Sequence, residues 1–175
     1  MNIEALRHFF DHPVLCTTTI TQITTYICLA AQLKREIQLP QPLDADGPDC
    51  APSVLPRAIT VFLSRSIGVP CEYMEYIWDV LKNQVWASPS MPSTPEDLAL
   101  FKEHGWELGL TFFSLYPPSE CCTNPHCPQQ GKVLKKEQQR RVIIYTLGNG
   151  VQPGWSIHLY CQGAYIEASG IASLS

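Results

Sequence analysis

RVIIYTLGNGVQPGWSIHLYC, residues 141–161, sets two β-branched and aromatic runs on either side of a glycine-rich connection. Val, Ile, Thr, Tyr and Trp fit a pleated, half-buried surface, and glycine gives the backbone the freedom a reversal needs. The stretch reads as two strands, QQRRVIIYTL (138–147) and WSIHLYC (155–161), with LGNGVQPG (147–154) as the turn or loop between them. Pairing them as a hairpin carries Cys161 back towards CTNPHC, residues 122–127. A third strand is expected in WELGLTFFSLY (106–116), ended by Pro117-Pro118.

Working outward, the pattern upstream of Gly105 is helical. Ile20, Ile23, Ile27, Ala30, Leu33 and Ile37 recur at steps of three and four, and Ile59, Phe62, Leu63 and Ile67 do the same after Pro56. Tyr73, Ile77, Val80, Leu81 and Val85 mark a further helix after Pro70, flanked by Trp78 and Trp86. TPEDLALFKEHG supplies a capping Thr94, Pro95 at the first position, Glu96 and Asp97 at the positive end of the dipole, and Gly105 as a stop. The proline-rich QLPQPLDADGPDCAPSVLP (38–56) and the breaker ASPSMPS separate these helices. The expected class is α+β: a helical region over 1–105, a small antiparallel β module carrying the cysteine cluster over 106–164, and an irregular tail over 165–175. Ile20, Ile27, Leu33, Ile59, Phe62, Leu63, Ile77 and Leu81 are expected to share one core.

Hydrophobic residues make up 45% and charged residues 16%, a globular balance, and the net charge of -4 offers no basic field over the whole molecule. The start, MNIEALRHFFDHPVL, lacks the basic opening and unbroken apolar run of a signal peptide, and no stretch has the ~20 apolar residues of a membrane span. The expectation is an intracellular setting, the nucleus included, with reduced cysteines. Cys16 and Cys28 read as small buried hydrophobes.

Cys122 and Cys127 have four residues between them, around an Asn-Pro turn, a spacing that brings two thiolates to one ion. A remote cysteine in an intracellular chain favours a metal over free thiols, and Zn2+ prefers four such ligands. Cys161 is the later partner, but three residues on stands Ala164. Substitutes for a fourth ligand are Cys121, His126 and His158; the odd separation of His158 from Cys161 argues against it in a regular strand. A Cys/His hydrolase built on Cys121 or Cys127 with His158 needs a thiolate-favouring niche and an orienting group, and neither is recognisable, so no enzyme is expected.

LYPPSECCTNPHC, the basic β-branched strand after it and IYTLGNGVQPGWSIHLYC together resemble the fifth class of CxC cysteine clusters, which accompany KDZ transposases of fungi. LPRAITVFLSRSIGVP, YIWDVLKNQVW and FKEHGWELGLTFFSLYPP resemble the same family upstream. The resemblance implies a zinc-chelating accessory module with Cys122, Cys127 and Cys161 as ligands. It also implies a fourth cysteine where this chain has Ala164, and a transposase domain beyond, so the chain reads as a truncated or altered copy of the accessory module.

Lys132, Lys135, Lys136, Arg140 and Arg141, set against Glu137, form a segment able to meet phosphates or simply to guard an edge strand. Two functional classes stand side by side. One is a nucleic-acid-binding zinc module, with DNA as partner, that serves a transposase. The other is a structural or protein-interaction module, with the transposase or another protein as partner, or a relic that binds neither metal nor DNA. Neither class involves a membrane or a small-molecule substrate.

Overall fold

Threonine 19 opens the first long helix with a reciprocal cap. Its hydroxyl accepts the Gln22 N–H at 3.2 Å, and the Gln22 side chain accepts the Thr19 N–H at 2.8 Å. The computed structural model describes residues 15–41, 50–89, 94–148 and 150–163. The N-terminal MNIEALRHFFDHPV, the middle of the proline-rich loop, part of the ASPSMPS breaker, Ala164 and the tail all lie outside the described residues. The chain divides into two units, Met1–Phe112 and Phe113–Ser175.

The first unit holds α1 (Ile20–Gln32), α2 (Lys34–Gln38), α3 (Arg57–Ile67), α4 (Met74–Ala87) and α5 (Pro95–Leu100). Gly68, at φ +69, ends α3 in the left-handed conformation that glycine adopts without strain. Thr94 and Asp97 repeat the capping box at α5. That helix runs on through a π-helical turn (Phe101–Gly105) and a 3-10 turn (Trp106–Leu108), which Gly109 stops. Residues 106–108 are thus helical, where a strand was expected. Leu110 lies in the helical core and Phe112 packs against it, so the unit ends beyond residue 105.

Leu33, Ile59, Phe62, Leu63, Ile77 and Leu81 are buried together, and Ile27 packs against them half-buried. Ile20 is 78% exposed, contrary to expectation. It occupies the first turn of α1, and the buried stripe runs through Ile23, Tyr26, Leu29, Ala30 and Leu33, on a face rotated from the expected one. Leu33 interrupts the expected single helix and separates α1 from α2. Trp78 is buried, and its indole N–H donates to Pro52 O at 2.9 Å. Lys34 Nζ donates to Trp86 O at 2.8 Å and Ser88 O at 2.6 Å, a cation on the carbonyls that close α4. Cys16 is exposed and Cys28 half-buried, so neither is the fully buried hydrophobe expected.

The second unit is built on β1 (Ser114–Leu115), β2 (Lys135–Thr146) and β3 (Gly150–Tyr160), in the spatial order β1-β3-β2. β2 and β3 form the hairpin, from Thr146↔Gly150 to Lys135↔Tyr160. Gly150, at φ +64, supplies the left-handed residue at the reversal. The sheet is mixed rather than purely antiparallel, because β1 joins the far side of β3 in parallel, Ser114↔Trp155. β3 also begins earlier than expected and includes Pro153. The Trp155 N–H points towards β1 and donates to Phe113 O at 3.0 Å. The nitrogen of Pro153, two residues back, faces the same side, where the β1 ladder does not reach and no donor is needed. The register shifts between Lys136 and Gln138, a bulge that leaves Glu137 extra.

Candidate metal centre

Cys122 and Cys127 are held by a tight loop rooted in a short ladder. Leu134 N–H donates to Glu120 O at 2.8 Å, Cys122 N–H to Lys132 O at 2.9 Å and Gly131 N–H to Cys122 O at 2.9 Å, around a bridge between Cys121 and Val133. Gly131, at φ +75, makes the return. Inside the loop, Cys127 N–H donates to Asn124 O at 3.2 Å. The Asn124 side-chain oxygen accepts the His126 N–H at 3.0 Å, the local turn that Asn-Pro favours.

β3 delivers the third cysteine. Cys161 directly follows Tyr160, the last residue of the strand, and the hairpin returns it to the loop. The Sγ atoms of Cys122, Cys127 and Cys161 lie within 4.8 Å of one another, and those of Cys127 and Cys161 are 3.5 Å apart. Thiolates at ~2.3 Å from one tetrahedral ion stand about 3.8 Å apart, so the three sulfurs fit a single zinc-sized ion. Cys122 is buried and the other two are half-buried.

Two neighbours shape the centre that spacing did not single out. Gln129 N–H donates to Cys127 Sγ at 3.4 Å, a backbone dipole aimed at the sulfur. Gly163 packs so closely that a Cβ there would lie 2.5 Å from Cys127 Sγ. The signals available in the sequence were the Pro128-Gln129 step after Cys127 and a glycine two residues after Cys161. The Gln129 amide lowers the affinity of the Cys127 thiol for its proton, but burial and the adjacent Cys161 and Cys122 sulfurs outweigh it, so the thiol stands above its ordinary value.

Cys121, His126 and His158 are not brought into this group among the described residues. Cys121 precedes Cys122 in an extended segment, where successive side chains point apart. His126 is exposed on the loop, and His158 lies opposite Gln138 inside the β2–β3 ladder. Ala164 lies outside the described residues.

The basic residues are divided by the bulge. Register places Lys136, Gln139 and Arg141 on one face of the hairpin and Lys135, Gln138 and Arg140 on the other. The Arg141 guanidinium lies 5.5 Å from the centre of the Trp155 ring, and Lys136 Nζ donates to the Gln139 side chain. Lys132 is exposed on the cysteine loop.

Residues 110–166, 57 of the 175, match the family model described as a CxC5 like cysteine cluster associated with KDZ transposases. The match covers the whole cysteine group and both long strands. No curated protein and no solved structure matches the chain.

Proposed function

Starting from a CxC5-like cysteine cluster whose three sulfurs converge, we propose that the second unit is a zinc-chelating module that uses its basic hairpin to engage nucleic acid. The observation that carries the metal reading is the grouping of Cys122, Cys127 and Cys161 from a loop and a strand end 34 residues apart. Cys122, Cys127 and Cys161 would hold the ion; zinc supplies a fixed tetrahedral cross-link and no redox chemistry. The Gln129 amide, aimed at the Cys127 sulfur, would steady that ligand in its thiolate form.

Core size supports the same reading. From residue 113 on, the buried apolar side chains among the described residues are Cys122, Trp155 and Ile157. So small a core ordinarily needs a metal or another cross-link. Between residues 113 and 163, five basic residues stand against two acidic ones, Glu120 and Glu137, although the whole chain is acidic. That local excess supports phosphate contact.

The test is metal analysis of the purified full chain, then amide exchange of β2 and β3 with and without a chelator. One zinc per chain is expected, with hairpin protection lost on chelation. Duplex DNA affinity measured across salt concentrations should fall steeply as salt rises. A metal-free chain with full hairpin protection would end the zinc reading, and salt-independent or absent binding would end the nucleic-acid one.

A further inference from the structure

The far end of the hairpin carries an apolar surface that the metal centre does not use. Cross-strand register sets Ile143 opposite Pro153 and Tyr145 opposite Val151, all on the face that also bears Arg141. Ile143 is 66% exposed, Tyr145 80%, Val151 61% and Leu147, at the reversal, fully exposed. The opposite face differs: Val142, Ile144 and Thr146 are half-buried, and Gln152 and Gly154 are buried. Exposure of three large apolar side chains on one face of the ribbon, with a fourth at its reversal, is unlike the scattered single hydrophobes of an ordinary surface.

Charge identifies the occupant. Behind the apolar end, the same two-stranded ribbon bears Lys136, Arg140 and Arg141, with Glu137 as its only acidic residue. Arg141 lies six residues before Leu147, about 20 Å at ~3.4 Å per residue. Cations at the root and large apolar groups at the end suit a duplex, whose phosphates meet the root while the end reaches between base pairs. Proteins that bend DNA do so by placing Leu, Ile or Pro wedges at base steps in the minor groove. A second copy of the chain is a poorer occupant: these few side chains fall far short of the ~20–30 residues a side of a stable protein interface.

We propose that the free end of the β2–β3 hairpin is an apolar wedge that enters the minor groove of duplex DNA and bends it, while Lys136, Arg140 and Arg141 hold the flanking phosphates. This rests on the nucleic-acid reading above and adds the groove, the contact and the deformation. Tyr145 and Leu147 do the wedging, with Ile143, Val151 and Pro153 lining the sugar edges. The arginines set affinity and its salt dependence.

The experiment uses the zinc-loaded full chain and a short duplex labelled at its two ends with a fluorescence donor and acceptor. Wild type should bring the ends closer on binding. The double variant Tyr145→Ser, Leu147→Ser should bind within about tenfold of wild type with the same salt slope, but without the change in transfer efficiency. Arg140→Gln with Arg141→Gln should lower the slope of log affinity against log salt by about 2, at ~0.9 per phosphate contact. Zinc content and circular dichroism of each variant confirm the fold, which substitutions at exposed positions should leave intact. Binding without end-to-end approach, or equal approach with the serine variant, overturns the wedge and leaves the nucleic-acid reading standing. No duplex binding overturns both. Self-association of the free chain that the serine variant abolishes would assign the face to a second copy and also overturn the wedge.

Discussion

Gly163→Ala tests the metal centre at a position that ligand spacing alone does not reveal. A Cβ at residue 163 would stand 2.5 Å from Cys127 Sγ and 3.2 Å from Gln129 Cγ. Ordinary contact needs roughly 3.5–4.0 Å, so sulfur or backbone must retreat by about 1 Å. Overpacking of this kind costs about 1–3 kcal/mol. A metal site tolerates distance errors of only about 0.2 Å, so the displacement falls on the Cys127–metal bond. If the whole cost appears in binding, zinc affinity drops by about 5- to 150-fold, at ~1.4 kcal/mol per factor of ten. The assay is competition for zinc against a chromophoric chelator, with melting followed in parallel. Gly148→Ala is the control, since a Cβ there meets nothing within 4 Å. Equal zinc affinity for Gly163→Ala and wild type would refute the claim that the bare backbone at 163 makes room for the Cys127 sulfur.

Cys127→Ser should abolish stoichiometric zinc, whereas Cys121→Ser, outside the sulfur group, should leave zinc content unchanged; mass spectrometry of the native chain reads both. Zinc affinity should rise with pH, because up to three thiol protons must leave and the Cys127 thiol holds its proton above the ordinary value; the limit is about a thousandfold per pH unit below the thiol range, read by titration at pH 6, 7 and 8. The sign reverses for the metal-free chain: a thiol raised by folding stabilises the fold while protonated, so metal-free melting temperature should fall as pH rises through the Cys127 titration. Gly154→Ala should destabilise the sheet by about 1–3 kcal/mol, since its Cβ would meet the Ile144 side chain and stand 2.6 Å from Phe113 O, and chemical denaturation should show it.

The helices were legible because their signals are local. Thr94, Pro95 and Asp97 announce α5, and Gly68 ends α3, without help from anything distant. The rotated face of α1 was not legible. Ile20 and Ile27 both fit the spacing, and only packing against other helices decides that Ile20 stays exposed, Ile27 is half-buried and Tyr26 and Leu29 turn inward. The start of β1 was not legible for a related reason. An aromatic run from Trp106 to Tyr116 satisfies β propensity, yet its first residues continue the helix after α5, and two residues suffice for the parallel pairing. The length of β3 was hidden by Pro153, which reads as a loop residue until the short β1 shows that its nitrogen faces no ladder partner. The bulge at Glu137, which divides the basic residues between two faces, leaves no local mark in a run of polar side chains.

The two units also differ in what can hold them. α1, α3 and α4 supply a continuous apolar core around Phe62, Ile77 and Trp78, and such a core is stable through burial alone. The hairpin unit buries Trp155 and Ile157 beside Cys122 and exposes much of its remaining apolar surface at the far end. Its fixed points are therefore the β2–β3 ladder along its length and, with an ion bound, the three sulfurs at one end. An ion at those sulfurs would tie Cys161, at the end of β3, to the loop that precedes β2. That closes the strands at the end opposite the Thr146↔Gly150 reversal. A ribbon fixed at its root can project side chains at its end without burying them, whereas an unfixed one would need those same side chains for its own core. With an ion bound there, the exposed Ile143, Tyr145, Leu147 and Val151 would not be needed for the hairpin's own core, and the cysteine cluster and the apolar end would serve one design.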